Sequence, residues 1–258
     1  MSLYFQCMKM HIKSSMQYKT SFILSIISQF FVFFTYYFTI MALFERFGNI
    51  KGFTVYEVLL SFGIIHFGFA FNETFFRGVD SFHKLIISGK YDQLLIRPRG
   101  ILLQVLCSDV DVVKIARVLQ SILVLIFAIV NLNLSWNAMT LTCILLMLIS
   151  AVLIFFGLFL LAASYCFITV EGLEVRNVFT DGGKYMAQYP IGIYKKPVAL
   201  FFTFIIPYAF VNYYPLMYVL GKESNILYAF SPLLVIIFLL PCLYIFKIGS
   251  RKYMSTGS

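Results

Sequence analysis

Apolar residues fill this chain in blocks, and each block is about as long as a membrane crossing. Low-charge runs occupy positions 21–43, 55–76, 112–131, 138–169, 197–220 and 225–248, and a bilayer core takes roughly 20 helical residues. The pattern predicts six transmembrane helices, the fourth long enough to tilt or protrude. Ahead of the first run, Phe5, Met8, Ile12 and Met16 recur at spacings of three and four, with Lys9 and Lys13 set about 100° round the helix. That is the pattern of an amphipathic helix lying in the membrane interface, over residues 1–20. A signal peptide fits less well, because the apolar run that follows is too long for an h-region and no A-x-A-like cleavage site comes after it.

Between the second and third runs the pattern changes. "GVDSFHKLIISGKYDQLLIRPRG", Gly78 to Gly100, is charged and punctuated. Asp80 or Ser81 can cap a helix on which Phe82, Leu85, Ile86 and Gly89 follow at i, i+3, i+4 and i+7, with His83, Lys84 and Lys90 turned toward water. Gly89 ends it, and "KYDQLLIRP" forms a second short amphipathic element on Leu94, Leu95 and Ile96, stopped by Pro98. Joining two spans needs only a few polar residues. Connection 77–111 instead carries its own apolar stripe, toward lipid headgroups or a partner protein outside the bilayer. A second polar connection is expected at 170–196. Neither reaches the roughly 40 residues that an independent core requires, so residues 1–258 read as a single all-α integral membrane domain.

Composition agrees and adds an orientation. The chain is 61% hydrophobic and 12% charged, far from a soluble globular domain. Its formal charge of +9 raises the question of nucleic acid until the cations are located. Of the 20 Lys and Arg residues, only Arg46, Lys51 and Lys222 fall on one side of a six-span layout. By the bias of cations toward the inner leaflet, both termini and both long connections are expected in the cytoplasm of a cell with a plasma membrane. Each cation near anionic lipid is worth about 1 kcal/mol, which accounts for the charge with lipid as the partner and no nucleic acid.

Candidate chemistry is sparse. Five cysteines without a C-x-x-C pair argue against a disulfide framework or a zinc site, and no G-x-x-x-x-G-K-[ST] loop is present to cradle phosphates. His66 is the one histidine inside a span and reads as a packing residue. Glu57 reads as an edge residue, Glu73 as a partner for Arg77 four positions on, and Asp109, Asp111, Lys114 and Arg117 as i,i+3 pairs anchoring the third span. No catalytic, cofactor-binding or metal-ligating residue emerges. Prolines crowd the last two spans, where each removes a backbone donor and bends a helix. A solute path is therefore expected in the last third of the chain, around Pro207, Asn212 and Pro215.

Two stretches resemble a known family. "GVDSFHKLIISGKYDQLLIRPRGILLQ" is similar to the cytoplasmic loop of ABC-2-type permeases, in a branch of bacterial permeases of this length. "YPIGIYKKPVALFFTFIIPYAFVNYYPLMYVLG", Tyr189 to Gly221, and the closing "YMSTGS" are similar to later segments of the same branch. The resemblance implies a six-span permease subunit of an ATP-driven exporter. Such a subunit pairs with a second permease, identical or a sibling, and binds two ABC ATPase subunits that hold the ATP and Mg²⁺. It further implies docking of those ATPases on the N-terminal interfacial helix and on Asp80, Phe82, Leu85, Ile86, Gly89, Asp92, Leu94, Leu95, Arg97 and Pro98, with a smaller contact near Glu171 and Glu174. The residues alone leave two alternatives: a secondary transporter, disfavoured by the scarcity of mid-span charge, and a non-transporting immunity or sensor protein of the membrane.

Overall fold

The computed structural model describes residues 3–169 and 177–254. Helices α1 (Leu3–Ser15), α2 (Lys19–Phe47), α3 (Val55–Phe75), α4 (Arg77–Asp80), α5 (Phe82–Ile87), α6 (Lys90–Leu95), α7 (Ile101–Ser108), α8 (Val112–Asn131) and α9 (Ala138–Tyr165) come first. They are followed by α10 (Gly183–Ala187), α11 (Lys196–Phe204), α12 (Ala209–Val219) and α13 (Ile226–Lys252). Five of these, α2, α3, α8, α9 and α13, are long and apolar enough to cross a membrane, and α11 with α12 makes a sixth if that pair, bent by 87°, is one span. Helices answer the physical demand directly, since in lipid every backbone N–H and C=O must find its partner within the segment.

α3 is the axis of the bundle. Thr54 and Glu57 form a reciprocal capping box at its start, and 78% of its central window is buried, against 6% for α2. It packs between α8 and α9. Small residues permit the close approach: a Cβ on Gly63 would lie 3.0 Å from the Leu125 Cβ, and one on Gly68 only 2.5 Å from the Ala151 backbone. Asn72 pins the same crossing, its amide donating to the carbonyls of Gly68 at 2.8 Å and Val152 at 2.9 Å. Gly68→Val is expected to force α3 and α9 apart at an overpacking cost of about 1–3 kcal/mol. A melting temperature in detergent equal to that of the native chain would contradict this contact.

The last third departs from regular helix where the prolines fall. Pro207 sits in the break between α11 and α12, and α12 opens with a wide π turn at Ala209–Tyr213 just before Pro215, a local adjustment to the carbonyl that Pro215 cannot serve. Pro232 lies in a tight 3-10 turn, Ser231–Leu234, inside α13, and Pro241 is taken up within its helical body.

Connection 170–196 also departs from expectation. Residues 170–176 lie outside the described residues, and with them Glu171 and Glu174. From 177 on the chain does not stay at the end of the bundle that carries α4–α7, here called the loop end. Its polar groups meet residues from the middle of α2 and α3 (Tyr185 with Tyr36, Gln188 with His66) and then the turn 48–54 at the opposite end, where the Lys51 ammonium donates to the carbonyls of Gly192 and Ile193. α11 then returns, placing Phe201 and Ile205 in an apolar groove of about 360 Å³ with Leu161 and Tyr165 at the loop-end half of α9. Lys195 and Lys196 thus follow within a few residues of the carbonyls that bind Lys51, and Lys184 is buried inside the bundle. A hydropathy reading counts a lysine as loop because it assumes an unpaired charge. Lys184 is paired with Asp181 and rests on an aromatic face, which lowers the cost of its burial.

Candidate functional site

Two polar assemblies interrupt the apolar bundle. The first is the loop block α4–α7, beneath the ends of the spans. Gly89 adopts φ 64°, a left-handed turn that glycine makes without penalty, and so folds α6 back beside α5. Gly78 donates its N–H to the Asp109 carbonyl at 3.1 Å, and a Cβ there would collide with the Val105 carbonyl oxygen. Gln104 donates to the carbonyls of Leu94 and Arg99 at 3.1 and 3.0 Å, sewing the turn 94–100 onto α7. α1 clasps the block from the side: Tyr4 donates its hydroxyl to the Phe75 carbonyl, and His11 Nε2 lies 3.2 Å from the Cys107 carbonyl oxygen. Of the stripe expected on α1, Met8 and Ile12 are half-buried, while Phe5 and Met16 are exposed. Burial and the neighbouring Cys7 push the Cys107 thiol above its ordinary pKa, which disfavours the thiolate form.

The stripe expected to face a partner is divided by the fold. Phe82, Ile86 and Leu94 are buried, and Asp80 is buried in an ion pair with Arg77. Phe82 packs edge-on against Tyr91 at 5.1 Å, Phe167 at 5.1 Å and Phe246 at 5.7 Å. Tyr91 donates its hydroxyl to Ser250 Oγ at 2.9 Å; burial holds this phenol above its ordinary pKa. These residues are pegs that lock the block to the ends of α9 and α13. Leu85, Gly89 and Asp92 are half-buried, and Leu95, Arg97 and Pro98 are exposed together with Ile96, which is 84% exposed. Of the face that periodicity marks, Phe82, Ile86 and Leu94 are out of water within this chain and Leu95 and Ile96 are not. Periodicity does not tell whether a face looks inward or toward a partner, because both answers take it out of water.

Glu73 is the hub above the block. Its carboxylate receives Arg117 at 2.7 Å and Lys114 at 3.5 Å from the start of α8, and lies 4.0 Å from Arg77. The Glu73–Arg77 pair is therefore present but is the longest of the three. Lys114 and Arg117 turn to Glu73 rather than to the acids before them: Asp111 accepts from the Val113 N–H, and Asp109 from Ser81 Oγ at 3.1 Å. Glu57, at the other end of α3, pairs with Lys222 at 2.7 Å.

The second assembly runs along 178–194, a segment that sequence reasoning placed outside the membrane. Lys184 donates to Asp181 at 3.0 Å, and its ammonium lies 3.9 Å from the centroid of the Phe69 ring. Tyr185 and Tyr36 share a hydroxyl hydrogen bond of 2.7 Å, and His66 meets Gln188 at 3.1 Å. His66 is thus a satisfied packing residue stacked on Phe62, its ring centroid 3.9 Å away. Of the residues expected along a solute path, Pro207, Asn212 and Pro215 are all buried. Asn212 donates to the Ala187 carbonyl at 2.9 Å beside a cavity of only about 10 Å³, room for one water at most. Asn212 thus holds α12 against the 178–194 segment, while the Pro215 carbonyl faces Cys143 of α9. The one sequence signal for this assembly was the pair of opposite charges three apart, Asp181 and Lys184, which suits a helical turn.

No group of three or more His, Cys, Asp or Glu residues among the described residues is placed to hold a metal ion. Comparison with curated proteins and with solved structures finds no match. The family profile described as ABC-2 family transporter protein matches residues 30–257, nearly the whole chain. A multi-pass helical bundle with this match is a membrane transport component, a permease of the ABC-transporter type: the chain belongs to the ABC-2 transporter family.

Proposed function

We propose that this chain is the membrane subunit of an ATP-driven exporter of the bacterial plasma membrane, with both termini in the cytoplasm. It pairs with a second permease, a copy of itself or a sibling, and carries no catalytic residue. ATP and Mg²⁺ are held by two separate ATPase subunits seated under the loop block. The observation that carries this reading is the build of α4–α7. The block is locked to the span ends through Phe82, Tyr91 and the Glu73 hub, and it ends in an exposed apolar and basic tip, Leu95 to Arg99. A push on such a tip is transmitted as rigid-body motion, because packed elements shift as units rather than deform. The load reaches α9 and α13 through Phe82 and Tyr91 as well as α3 and α8 through Glu73.

The test separates tip from pegs. With Leu95→Asp and Ile96→Asp together, the chain is expected to keep its melting temperature and oligomeric state, since both side chains are exposed. Co-purification of an ATPase and ATP-dependent transport are expected to fall by roughly tenfold or more, as when interface anchors are removed. Undiminished ATPase recovery with this double variant would end the docking assignment.

The Lys184–Asp181 pair weakens the argument from scarce charge against ion-coupled transport. Transport driven by a pH gradient in vesicles that lack any ATPase would favour that second reading.

A further inference from the structure

The two members of the buried ion pair are treated differently by the fold. The Lys184 side chain is 5% exposed, closed off by the Phe69 and Tyr185 rings, whereas the Asp181 side chain is 43% exposed. Beside Asp181 on the same segment, the Tyr185 ring is partly exposed and hydrogen-bonded to Tyr36 of α2, which is partly exposed as well. Phe69 lies between His66 and Asn72 of α3, which sets the pair within the bundle and not at its rim. Where the 178–187 segment meets α2, the described residues thus expose a carboxylate next to Tyr185 and, through it, the Tyr185–Tyr36 phenol pair. Acyl chains are a poor neighbour for a carboxylate at this depth, so in the assembled transporter this face borders water or a solute. Among the described residues, little else covers α2.

We propose that Asp181, Tyr185 and Tyr36 form a solute-binding wall for amphiphiles with a cationic head, such as an organic amine or quaternary ammonium. The carboxylate, whose charge is shared with Lys184 but whose exposed edge is negative, attracts the cation, and the Tyr36 ring together with the side of Tyr185 away from Lys184 supplies the electron-rich faces that cations favour. The tail lies against the apolar bundle. An anionic head would have to approach Lys184 past Asp181 and displace an aromatic contact on each side of the ammonium. This proposal rests on the permease reading, since it names the class of solute for the same bundle.

The test is equilibrium binding to the purified full chain in nanodiscs, without ATPase, using tetraphenylphosphonium and tetraphenylborate, two ions of matched shape and opposite charge. Saturable binding of the phosphonium is expected, with the borate roughly tenfold weaker or more. Asp181→Asn is expected to weaken phosphonium binding by roughly tenfold, and Asp181→Glu to restore most of it. Equal binding of the two ions, a preference for the borate, or a monodisperse Asp181→Asn chain that binds the phosphonium like the native one would each overturn the proposal. If Asp181→Asn does not stay monodisperse, the charge preference of the native chain decides alone. No ATPase takes part in this measurement. A chain that prefers the cation but recruits no ATPase therefore sinks the coupling reading and leaves this one standing.

Discussion

Replacing Glu73 with Gln is expected to lower stability by about 3 kcal/mol, the lower end of the range for removing one partner from a buried ion pair. The carboxylate is 10% exposed and sits among three cations, Arg117, Lys114 and Arg77. Without it, Lys114 and Arg117 of α8 lose their shared carboxylate and face each other across the crossing with α3, while Arg77 of α4 keeps only Asp80. The loss is then repulsion and desolvation together, which is why the lower end of that range applies even though each cation keeps some contact with solvent. A thiol-reactive dye can report the melting temperature in detergent, because Cys143, Cys166 and Cys242 are buried and become reactive only on unfolding. Combining Glu73→Gln with Arg117→Met should recover part of the loss, since contacting residues do not add independently. A single variant that melts within about 2 °C of the native chain, less than a 1 kcal/mol change shifts Tm in a domain of this size, would show that Glu73 does not hold α3 to α8.

Phe82→Ala is expected to cost about 3–5 kcal/mol, as for other large aromatic side chains removed from a core. Phe82 is fully buried against Tyr91, Phe167 and Phe246, and the space it vacates lies between the loop block and the ends of α9 and α13. The spans have their own contacts, so the loss is expected to appear as local release of α5 and α6 rather than collapse of the bundle. Limited proteolysis should then cut between residues 88 and 100 while the transmembrane fragments stay associated. ATP hydrolysis by a bound ATPase should persist with transport lost, because the push no longer reaches α9 and α13. Full protection of that loop in the variant would contradict the peg role of Phe82. The contrast with Leu95→Asp and Ile96→Asp is the point: tip variants keep the fold and lose the partner, and peg variants keep the partner and lose the transmission.

The spans were legible because hydropathy is a local property. An apolar run of about 20 residues has one low-cost home, and α3, α8 and α9 begin and end within a few residues of the expected runs. The short helices of the loop were legible for a similar reason, since Gly89 and Pro98 punctuate a three-and-four pattern whatever the pattern packs against. Facing was not legible. Phe82, Ile86 and Leu94 were expected to meet a partner, and they meet Phe167, Phe246 and the α7 side of the block instead. A stripe states only that one face leaves water. Pro207 marked its break, and within this chain Asn212 and Pro215 are packed against neighbours.

Sequence alone determined that this is a multi-spanning helical membrane chain, where the five unbroken long helices run, and that a loop of short amphipathic helices follows the second. Each of these depends on contacts between a residue and its solvent, or on neighbours three or four positions away. Tertiary structure alone decided that residues 178–194 turn into the bundle, that Lys184 is buried while Asp181 is not, and that Glu73 gathers Lys114 and Arg117 from α8. Those outcomes depend on which helices lie side by side. The physical reason is that a charge counted alone belongs in water, and only a partner brought from elsewhere in the chain makes the interior its lower-energy place.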